Sequence, residues 1–238
     1  MKLQLPKTFL KFLIITVLFL GQIAFGQLAQ WPLTANGNPT SVDANATATA
    51  FVSGAGISGS ITYGATGAFA SGWSTGAIDL TDYFEVTIAP NTSYTMNVTQ
   101  FNFSERRSGT GIRNYQVRWS LNNFSTFTTI ATVNVPDDTN ERNGNITGLN
   151  IDVADGEVLK FRIYGYTAEQ AGGTWRINDG TLNIVGTVTP AGPTVTTTSN
   201  SSLEGTVDAY LTGTINANGT TTDASFEYGT TVAYGSTA

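Results

Sequence analysis

Apolar and polar residues alternate with a period of two along several segments of this chain, and that alternation is typical of antiparallel strands with one buried face. Residues 114–121 are an example, with an apolar parity made of Tyr115, Val117, Trp119 and Leu121. Residues 83–89 and 157–166 follow the same rule. Helical periodicity is hard to find after residue 26. Further short strands are predicted at 50–53, 57–63, 127–133, 146–153, 174–178 and 181–188.

One predicted strand changes phase part of the way along. Tyr94, Met96 and Val98 share one parity, whereas Phe101 and Phe103 continue on the other. One extra residue near Thr99-Gln100 restores a single apolar face, so we predict a β-bulge there. About nine short strands joined by polar turns predict an all-β fold, a two-sheet sandwich of the jelly-roll type.

The first 26 residues have the features of a secretory signal peptide. Lys2, Lys7 and Lys11 precede an apolar run at 12–20, which is short for a membrane span, and small residues precede Gln27. We expect cleavage before Gln27, a secreted or cell-surface protein, and no membrane attachment afterwards. The alternative is an uncleaved anchor, which the missing positive stop-transfer flank disfavours.

Charge narrows the range of partners. Cleavage would remove three lysines and no acid, leaving eight basic residues against 17 acidic ones and a formal net charge of −9. Sequence-independent binding of nucleic acid requires many Lys and Arg contacts to phosphates, so we expect no nucleic-acid partner. The same charge disfavours an anionic membrane surface.

The chain contains no histidine and no cysteine. The usual general base, the thiol nucleophile and the two commonest transition-metal ligands are therefore missing, and no disulfide can form. A pair of carboxylates is the remaining acid–base option, but no two acids are set apart by environments that would separate their pKa values. The composition favours a protein that is not an enzyme.

Domain organisation is indicated by a Pro/Thr-rich stretch at 189–199, which contains Pro190, Gly192 and Pro193 and predicts an extended linker. It separates the predicted sandwich, residues 27–188, from a smaller unit at 200–238. In that unit we predict strands at 209–216 and 224–228 with a turn at Asn218-Gly219.

The smaller unit resembles fibronectin type III-like repeats of secreted bacterial proteins. The resemblance rests on residues 211–219, on Phe226-Glu227-Tyr228-Gly229 with the threonines after it, and on Tyr234-Gly235. It implies an immunoglobulin-like β unit. About 40 residues are present against roughly 100 for a complete unit of that class, so we expect the front part of a longer exported product.

The larger unit resembles jelly-roll modules of large exported bacterial proteins, over about residues 30–188. The motifs are those at 103–111, 117–120, 161–166 and 172–179. This resemblance implies a carbohydrate-binding-module-like sandwich, a class whose members generally have no assigned ligand. Such modules accompany nucleases, hydrolases and adhesins, so the resemblance leaves the role open.

A glycan site is predicted on the outward parity of residues 157–166. Arg162, Tyr164 and Tyr166 lie there, and Arg118 joins them if residues 114–121 share the sheet. Sugars stack on aromatic rings, and their hydroxyls bond to guanidinium and carboxylate groups. The alternative is ordinary cross-strand pairing on a solvated sheet. The site requires these side chains on an open face with a further aromatic residue.

The tryptophans are assigned from their surroundings. Trp119 and Trp175 lie on apolar strand faces and are predicted to be core residues, and Trp31 is predicted to hold the first strand down. Trp73 lies among Gly, Ser and Thr, so we predict that it is exposed and available for stacking on a ligand.

Two charged clusters offer further sites. Arg106 and Arg107 could together bind a carboxylate or a sulfated sugar, or instead close the rim by bonding carbonyls and an acid such as Glu105. Asp137, Asp138 and Glu141 crowd one turn and could bind a structural calcium ion, although acids also populate plain turns. No other cofactor is expected.

These observations favour a non-catalytic extracellular binding or adhesion module whose partner is a carbohydrate or a cell-surface polymer. Two alternatives stay open. One is a structural spacer. The other is an accessory region of a secreted hydrolase or nuclease with its catalytic domain elsewhere.

Overall fold

The computed structural model describes residues 26–198, 212–218, 221–225, 227–228 and 236–237, and no residue among them is helical. The signal peptide expected at 1–26 therefore lies outside the described residues, apart from Gly26. In this part of the chain no helix is long and apolar enough to cross a membrane. The strands are β1 (Gly26–Trp31), β2 (Ser41–Val42), β3 (Ala46–Ala48), β4 (Val52–Ser53), β5 (Thr62–Gly64), β6 (Gly67–Ala70), β7 (Tyr83–Pro90), β8 (Tyr94–Asn102), β9 (Ser104–Arg107), β10 (Asn114–Ser120), β11 (Thr128–Asn134), β12 (Arg142–Asn143), β13 (Ile146–Val153), β14 (Leu159–Tyr166), β15 (Trp175–Asn178), β16 (Leu182–Pro190), β17 (Thr194–Thr198), β18 (Thr212–Asn216), β19 (Glu227–Tyr228) and β20 (Ser236–Thr237).

Strands β1 to β16 form two layers, as expected for a jelly-roll sandwich. The first layer is the sheet β11-β10-β14-β7-β3, with β4 also paired to β7. The second layer consists of two sheets, β13-β8-β16-β1-β2 and β12-β9-β15-β6-β5. These two sheets follow one another because β8 leads into β9, β12 into β13 and β15 into β16. From β7 onwards the chain crosses repeatedly between the layers, and the all-β jelly-roll prediction is confirmed.

Aromatic rings fill the space between the layers. Phe101 of β8 stacks on Phe161 of β14, with ring centroids 4.4 Å apart and an interplanar angle of 5°. Phe84 of β7 stacks on Trp175 of β15 at 5.9 Å. All four side chains are 0 % exposed. Each pair joins one layer to the other, so the core depends on residues from both.

The predicted bulge is present in β8. Gln100 pairs with Val185 and Val98 pairs with the next residue, Gly186, so Thr99 is the extra residue between them. Its hydroxyl donates to the Val185 carbonyl at 3.2 Å. Because of this insertion, residues of both parities, from Met96 to Phe103, point into the core.

Strand boundaries are only partly as predicted. The predicted strand at 146–153 coincides with β13, and those at 83–89 and 114–121 differ from β7 and β10 by one residue. In the segment 57–63, however, only the last two residues are in a strand, and Ile57 is a buried side chain in the loop that precedes β5. Trp31 holds β1 in place as predicted, fully buried and donating its indole N–H to the Thr49 carbonyl at 2.8 Å.

The C-terminal part contains two short pairings. β17 pairs with β18, and β19 pairs with β20. The predicted linker at 189–199 overlaps the end of β16 and all of β17. Most of the smaller unit at 200–238 lies outside the described residues, so the fibronectin type III-like repeat stays a prediction.

We predict that Phe161→Ala destabilises the fold by about 3–5 kcal/mol, because it removes a ring that stacks across the two layers and leaves a cavity. Chemical denaturation measures the loss. Leu80→Ala is the control, since Leu80 is 57 % exposed and its truncation should change stability by less than about 0.5 kcal/mol. Equal effects of the two substitutions would contradict the assignment of Phe161 to the core.

Candidate functional site

The outward side of the first layer, here called the outer face, brings several predicted site residues together. In the register of the sheet, Arg162 of β14 lies between Arg118 of β10 and Glu85 of β7. In the next row Tyr164 lies between Gln116 and Tyr83. Residues 114–121 thus share a sheet with 157–166, which was the condition for Arg118 to join the predicted site, and residues 83–89 belong to the same sheet.

Arginines and aromatic rings alternate in contact on the outer face. The Arg162 guanidinium carbon lies 3.9 Å from the ring centre of Tyr83 and 4.0 Å from that of Phe124. The Arg118 carbon lies 4.2 Å from the ring centre of Phe127 and 4.9 Å from that of Tyr164. Such contacts between cations and ring faces are attractive. We call these residues the Arg–aromatic cluster: Tyr83, Arg118, Phe124, Phe127, Arg162 and Tyr164.

Both arginines of the cluster have partners within the protein: a carboxylate for Arg162, and the Gln116 side chain together with aromatic rings for Arg118. Arg162 Nε donates to Glu85 Oε2 at 2.6 Å, and Lys160 Nζ lies 3.3 Å from the other carboxylate oxygen. Burial lowers the pKa of Arg162, but hydrogen bonds with Tyr164 and Glu85 outweigh burial and raise it overall. For Tyr83, whose charged form is the anion, burial has the opposite effect and raises the pKa. Arg162 therefore stays charged and fixed in place.

The hairpin loop between β10 and β11, residues 121–127, covers part of the outer face. Phe124 contacts Tyr164 edge-to-face at 6.4 Å, and Tyr164 is only 1 % exposed. Asn123 and Phe124 both have positive φ, 55° and 63°, which costs about 1 kcal/mol or more for each residue. The Ser120 hydroxyl offsets this by accepting the backbone N–H groups of Asn122 and Phe124.

This arrangement corrects the expectation that Tyr164 offers an open ring to a ligand. Arg118 is also buried, at 8 % exposure. Tyr166 is half-buried at the end of β14, opposite Asn114, and makes no ring contact with the cluster. Arg118, Arg162 and Tyr164 therefore lie in contact with one another, and Tyr166 lies outside this group. The hairpin loop covers part of the group.

Trp73 requires a second correction, because it is a core residue at 1 % exposure. Its indole N–H donates to the Ala70 carbonyl at 2.9 Å, and its ring meets Phe84 and Trp175 edge-on. The ring occupies space above Gly165, where a Cβ would lie 2.7 Å from it. A glycine at an inward position of an apolar strand was the sequence signal for this packing.

Trp119 differs from the other three tryptophans. It is only partly buried, and its indole N–H makes no hydrogen bond with any residue that the structure describes, whereas Trp31, Trp73 and Trp175 all donate to the protein. Trp119 lines a cleft of about 460 Å³ beside the hairpin loop. The prediction that it belongs to the core was therefore only partly right.

We call this space the hairpin cleft. Its other aromatic side chain is Phe127, which is 48 % exposed. The rest of the lining is mainly polar: Ser120, Asn122, Thr126 and Thr128, with Leu121. Two accessible rings with hydroxyl and amide groups around them form the surface that sugar binding requires. The sequence pattern does not reveal this cleft, because Trp119 has apolar parity and only its position near the end of β10 leaves it open.

The three acids considered for calcium point to three different arginines. Asp137 accepts from Arg107 at 2.7 Å, Asp138 pairs with Arg142, and Glu141 accepts from Arg176 at 2.8 Å. The bond from Arg107 is the main reason that the pKa of Asp137 is lowered. In the described part of the chain, no group of three His, Cys, Asp or Glu residues is arranged to hold a metal ion. The structure does not gather these acids around one point.

The two neighbouring arginines of β9 have different surroundings. Arg107 is 1 % exposed, pairs with Asp137 and Glu169, and donates to the carbonyls of Gly109 and Gly111. It closes the rim, which was the alternative considered for it. Arg106 is exposed on the opposite side of the strand.

Burial raises the pKa of two buried acids, Asp82 and Glu105, and a raised pKa often marks a catalytic group. Asp82 accepts the backbone N–H of Ser74 at 2.8 Å, and Glu105 is the more deeply buried of the two. Burial raises the pKa of Glu105, which is 0 % exposed, although the indole N–H of Trp175 at 2.7 Å and the charge of Arg142 oppose the shift. Burial also raises the pKa of the neighbouring Tyr115 to about 12. Since Glu105 is sealed from solvent, it cannot reach a substrate, and its role is structural.

Comparisons with known proteins give only distant matches. No family model and no curated protein matches the chain. The N-terminal cellulose-binding domain of Cellulomonas fimi β-1,4-glucanase C is 10 % identical, with a TM-score of 0.34 over 59 % of this chain and 88 % of that one. A family 29 carbohydrate-binding module complexed with mannohexaose is 13 % identical, with a TM-score of 0.35 over 71 % and 95 %. Similarity at this level identifies no ligand.

We predict a pH-dependent effect of Glu105→Gln. Because the native pKa is raised, the native state holds a proton that the unfolded state releases above about pH 4.3. This group therefore adds stability at low pH, and that stability is lost as the pH rises towards the native pKa. Thermal unfolding of both proteins is measured from pH 4 upwards. The Tm of the variant should rise relative to the Tm of the original protein as the pH increases. A difference independent of pH would contradict the raised pKa.

Proposed function

We propose that this chain is a non-catalytic carbohydrate-binding module that works outside the cell, or on its surface, as part of a larger exported protein. The observation that carries the proposal is the hairpin cleft. The cleft is lined by Trp119, whose indole N–H has no partner among the described residues, by the half-exposed ring of Phe127, and by hydroxyl and amide side chains.

The chemistry of the hairpin cleft suits a neutral sugar. The C–H faces of a pyranose pack on aromatic rings, and its hydroxyls accept from an indole N–H and exchange hydrogen bonds with Ser, Thr and Asn. The Asn122 side chain already bonds to the backbone N–H and the hydroxyl of Thr126, which holds the cleft wall in one conformation. A preformed wall reduces the entropy lost on binding.

The Arg–aromatic cluster then has a positioning role. Arg118 contacts both Phe127, at the cleft, and Tyr164, under the loop. Arg162 contacts Phe124 at the loop tip, and Lys160 Nζ donates to the Asn123 side chain at 2.9 Å. In this proposal the residues first selected as ligand contacts, Arg118, Arg162 and Tyr164, hold the hairpin in place for binding.

A structural spacer is the second candidate, and one observation favours it. Both arginines of the cluster already have partners within the protein, Glu85 for Arg162 and Gln116 with aromatic rings for Arg118, so the outer face needs no ligand to satisfy them. An accessory region of a secreted hydrolase or nuclease is compatible with either candidate, because the binding surface described here contains no catalytic group.

We predict that Trp119→Ala and Phe127→Ala each lower the affinity for a neutral glycan by about tenfold or more, because each removes a stacking ring. A glycan array identifies the ligand, and isothermal titration with that ligand measures the change. Trp119→Phe keeps an aromatic ring but removes the indole N–H. Its affinity should therefore fall less than that of Trp119→Ala.

Leu80→Ala is the matched control, since it removes an exposed apolar side chain outside the hairpin cleft and should leave affinity unchanged. Circular dichroism checks that every variant is folded. If no neutral glycan binds the original protein, or if binding survives both alanine substitutions in the cleft, the proposed site is wrong and the spacer function gains support.

A further inference from the structure

The outward side of the second layer carries a pocket that the proposed function does not use. Four residues form a row across neighbouring strands: Thr62 of β5, Phe69 of β6, Arg176 of β15 and Arg106 of β9. The last three line a pocket of about 270 Å³, together with hydroxyl groups from residues that include Thr66 and Thr139. We call it the arginine pocket.

The two arginines of this pocket are a like-charged pair. Arg106 and Arg176 are directly opposite in the antiparallel register, where Cβ atoms are about 5 Å apart and like charges are destabilising. Arg176 donates to Asn178 and to Glu141. Arg106 makes no hydrogen bond or ion pair with any described residue. Arg107 also lines the pocket, but its side chain is buried and paired with Asp137 and Glu169. The two accessible guanidinium groups, those of Arg106 and Arg176, therefore have a single compensating carboxylate, that of Glu141.

That carboxylate indicates what the pocket accepts. The Glu141 side chain is 59 % exposed, and it reaches Arg176 Nη2 at 2.8 Å. The other acids of this turn, Asp137 and Asp138, are bonded to Arg107 and Arg142, and Glu105 is buried beneath. No second carboxylate therefore reaches Arg106 in the part of the chain that the structure describes. An anion that lies between the two guanidinium groups would remove their repulsion and form charge-assisted hydrogen bonds.

We propose that the arginine pocket binds the carboxylate or sulfate group of an acidic polysaccharide, with the half-buried ring of Phe69 as a platform for the sugar. This inference rests on the proposed function for the class of polymer, but it uses a different site. A nucleic acid is disfavoured because its binding needs many phosphate contacts, whereas the chain is acidic overall and this pocket offers only two arginines.

The first experiment measures thermal stability of the purified protein at low ionic strength, with and without inorganic sulfate. Sulfate should raise the Tm of the original protein and have little effect on Arg106→Gln, because the substitution removes one of the two cations. Without sulfate, Arg106→Gln should have the higher Tm, because the repulsion is gone. Stabilisation by sulfate that persists in Arg106→Gln would overturn the site.

The second experiment titrates the protein with trigalacturonate, with cellobiose that carries one sulfate ester, and with uncharged cellotriose. Arg106→Gln should weaken binding of a charged ligand by about tenfold. Glu141→Gln should strengthen it by roughly two- to threefold, because a competing carboxylate is removed. The two charged ligands distinguish a carboxylate from a sulfate as the recognised group. Thr147→Glu is the control of equal charge change, at an exposed position of β13 outside both sites, and should have little effect.

The outcomes separate this inference from the proposed function. The arginine pocket is supported if Arg106→Gln loses binding of the charged ligands and Trp119→Ala keeps it. This holds whether or not the protein binds neutral glycans. If charged and uncharged sugars bind equally, or a single-stranded DNA dodecamer binds as well as trigalacturonate, the acidic polysaccharide is the wrong ligand. If sulfate stabilises the protein but no charged sugar binds, the polymer assignment is overturned, while the hairpin cleft is judged on neutral glycans alone.

Discussion

Contact between aromatic rings of the two layers is the interaction on which this structure depends. The chain has no cysteine, so no disulfide can restrict its unfolded state, and burial must provide the stability. Phe101 on Phe161, and Phe84 on Trp175, join the layers at two places. Trp73 packs edge-on against Phe84 and Trp175, and its ring lies over Gly165, where the missing Cβ leaves room for it. The outward surfaces can then vary without weakening this core.

The arginines show how the same residue type serves two purposes in one fold. Arg107 is buried and bonded to acids and carbonyls, so it works as part of the rim. Arg118 and Arg162 are held against aromatic rings on the outer face. Arg106 has no hydrogen-bond or ion-pair partner among the residues that the structure describes. A guanidinium that the fold does not use is the feature that makes a binding function on the second layer testable.

Local patterns predicted the parts of the fold that depend on neighbouring residues. Parity identified the inward faces of β7, β10 and β14, and the change of parity after Val98 located the bulge at Thr99. Pattern could not identify short strands such as β2 and β12, because two-residue pairings have no period of their own. The tryptophans show a related difficulty. Trp73 lies in a polar loop yet is buried, and Trp119 lies on an apolar parity yet is partly open.

From the sequence alone it followed that this chain is all-β, that its strands have one apolar side, and that it contains neither imidazole nor thiol. These properties depend on composition and on the geometry of an extended backbone, which alternates its side chains wherever it occurs. The tertiary structure decided which outward residues remain accessible. The hairpin loop folds over Tyr164 and leaves Trp119 open, and the β9–β15 register sets Arg106 opposite Arg176. Contacts between residues far apart in the chain determine both results, so no local pattern contains them.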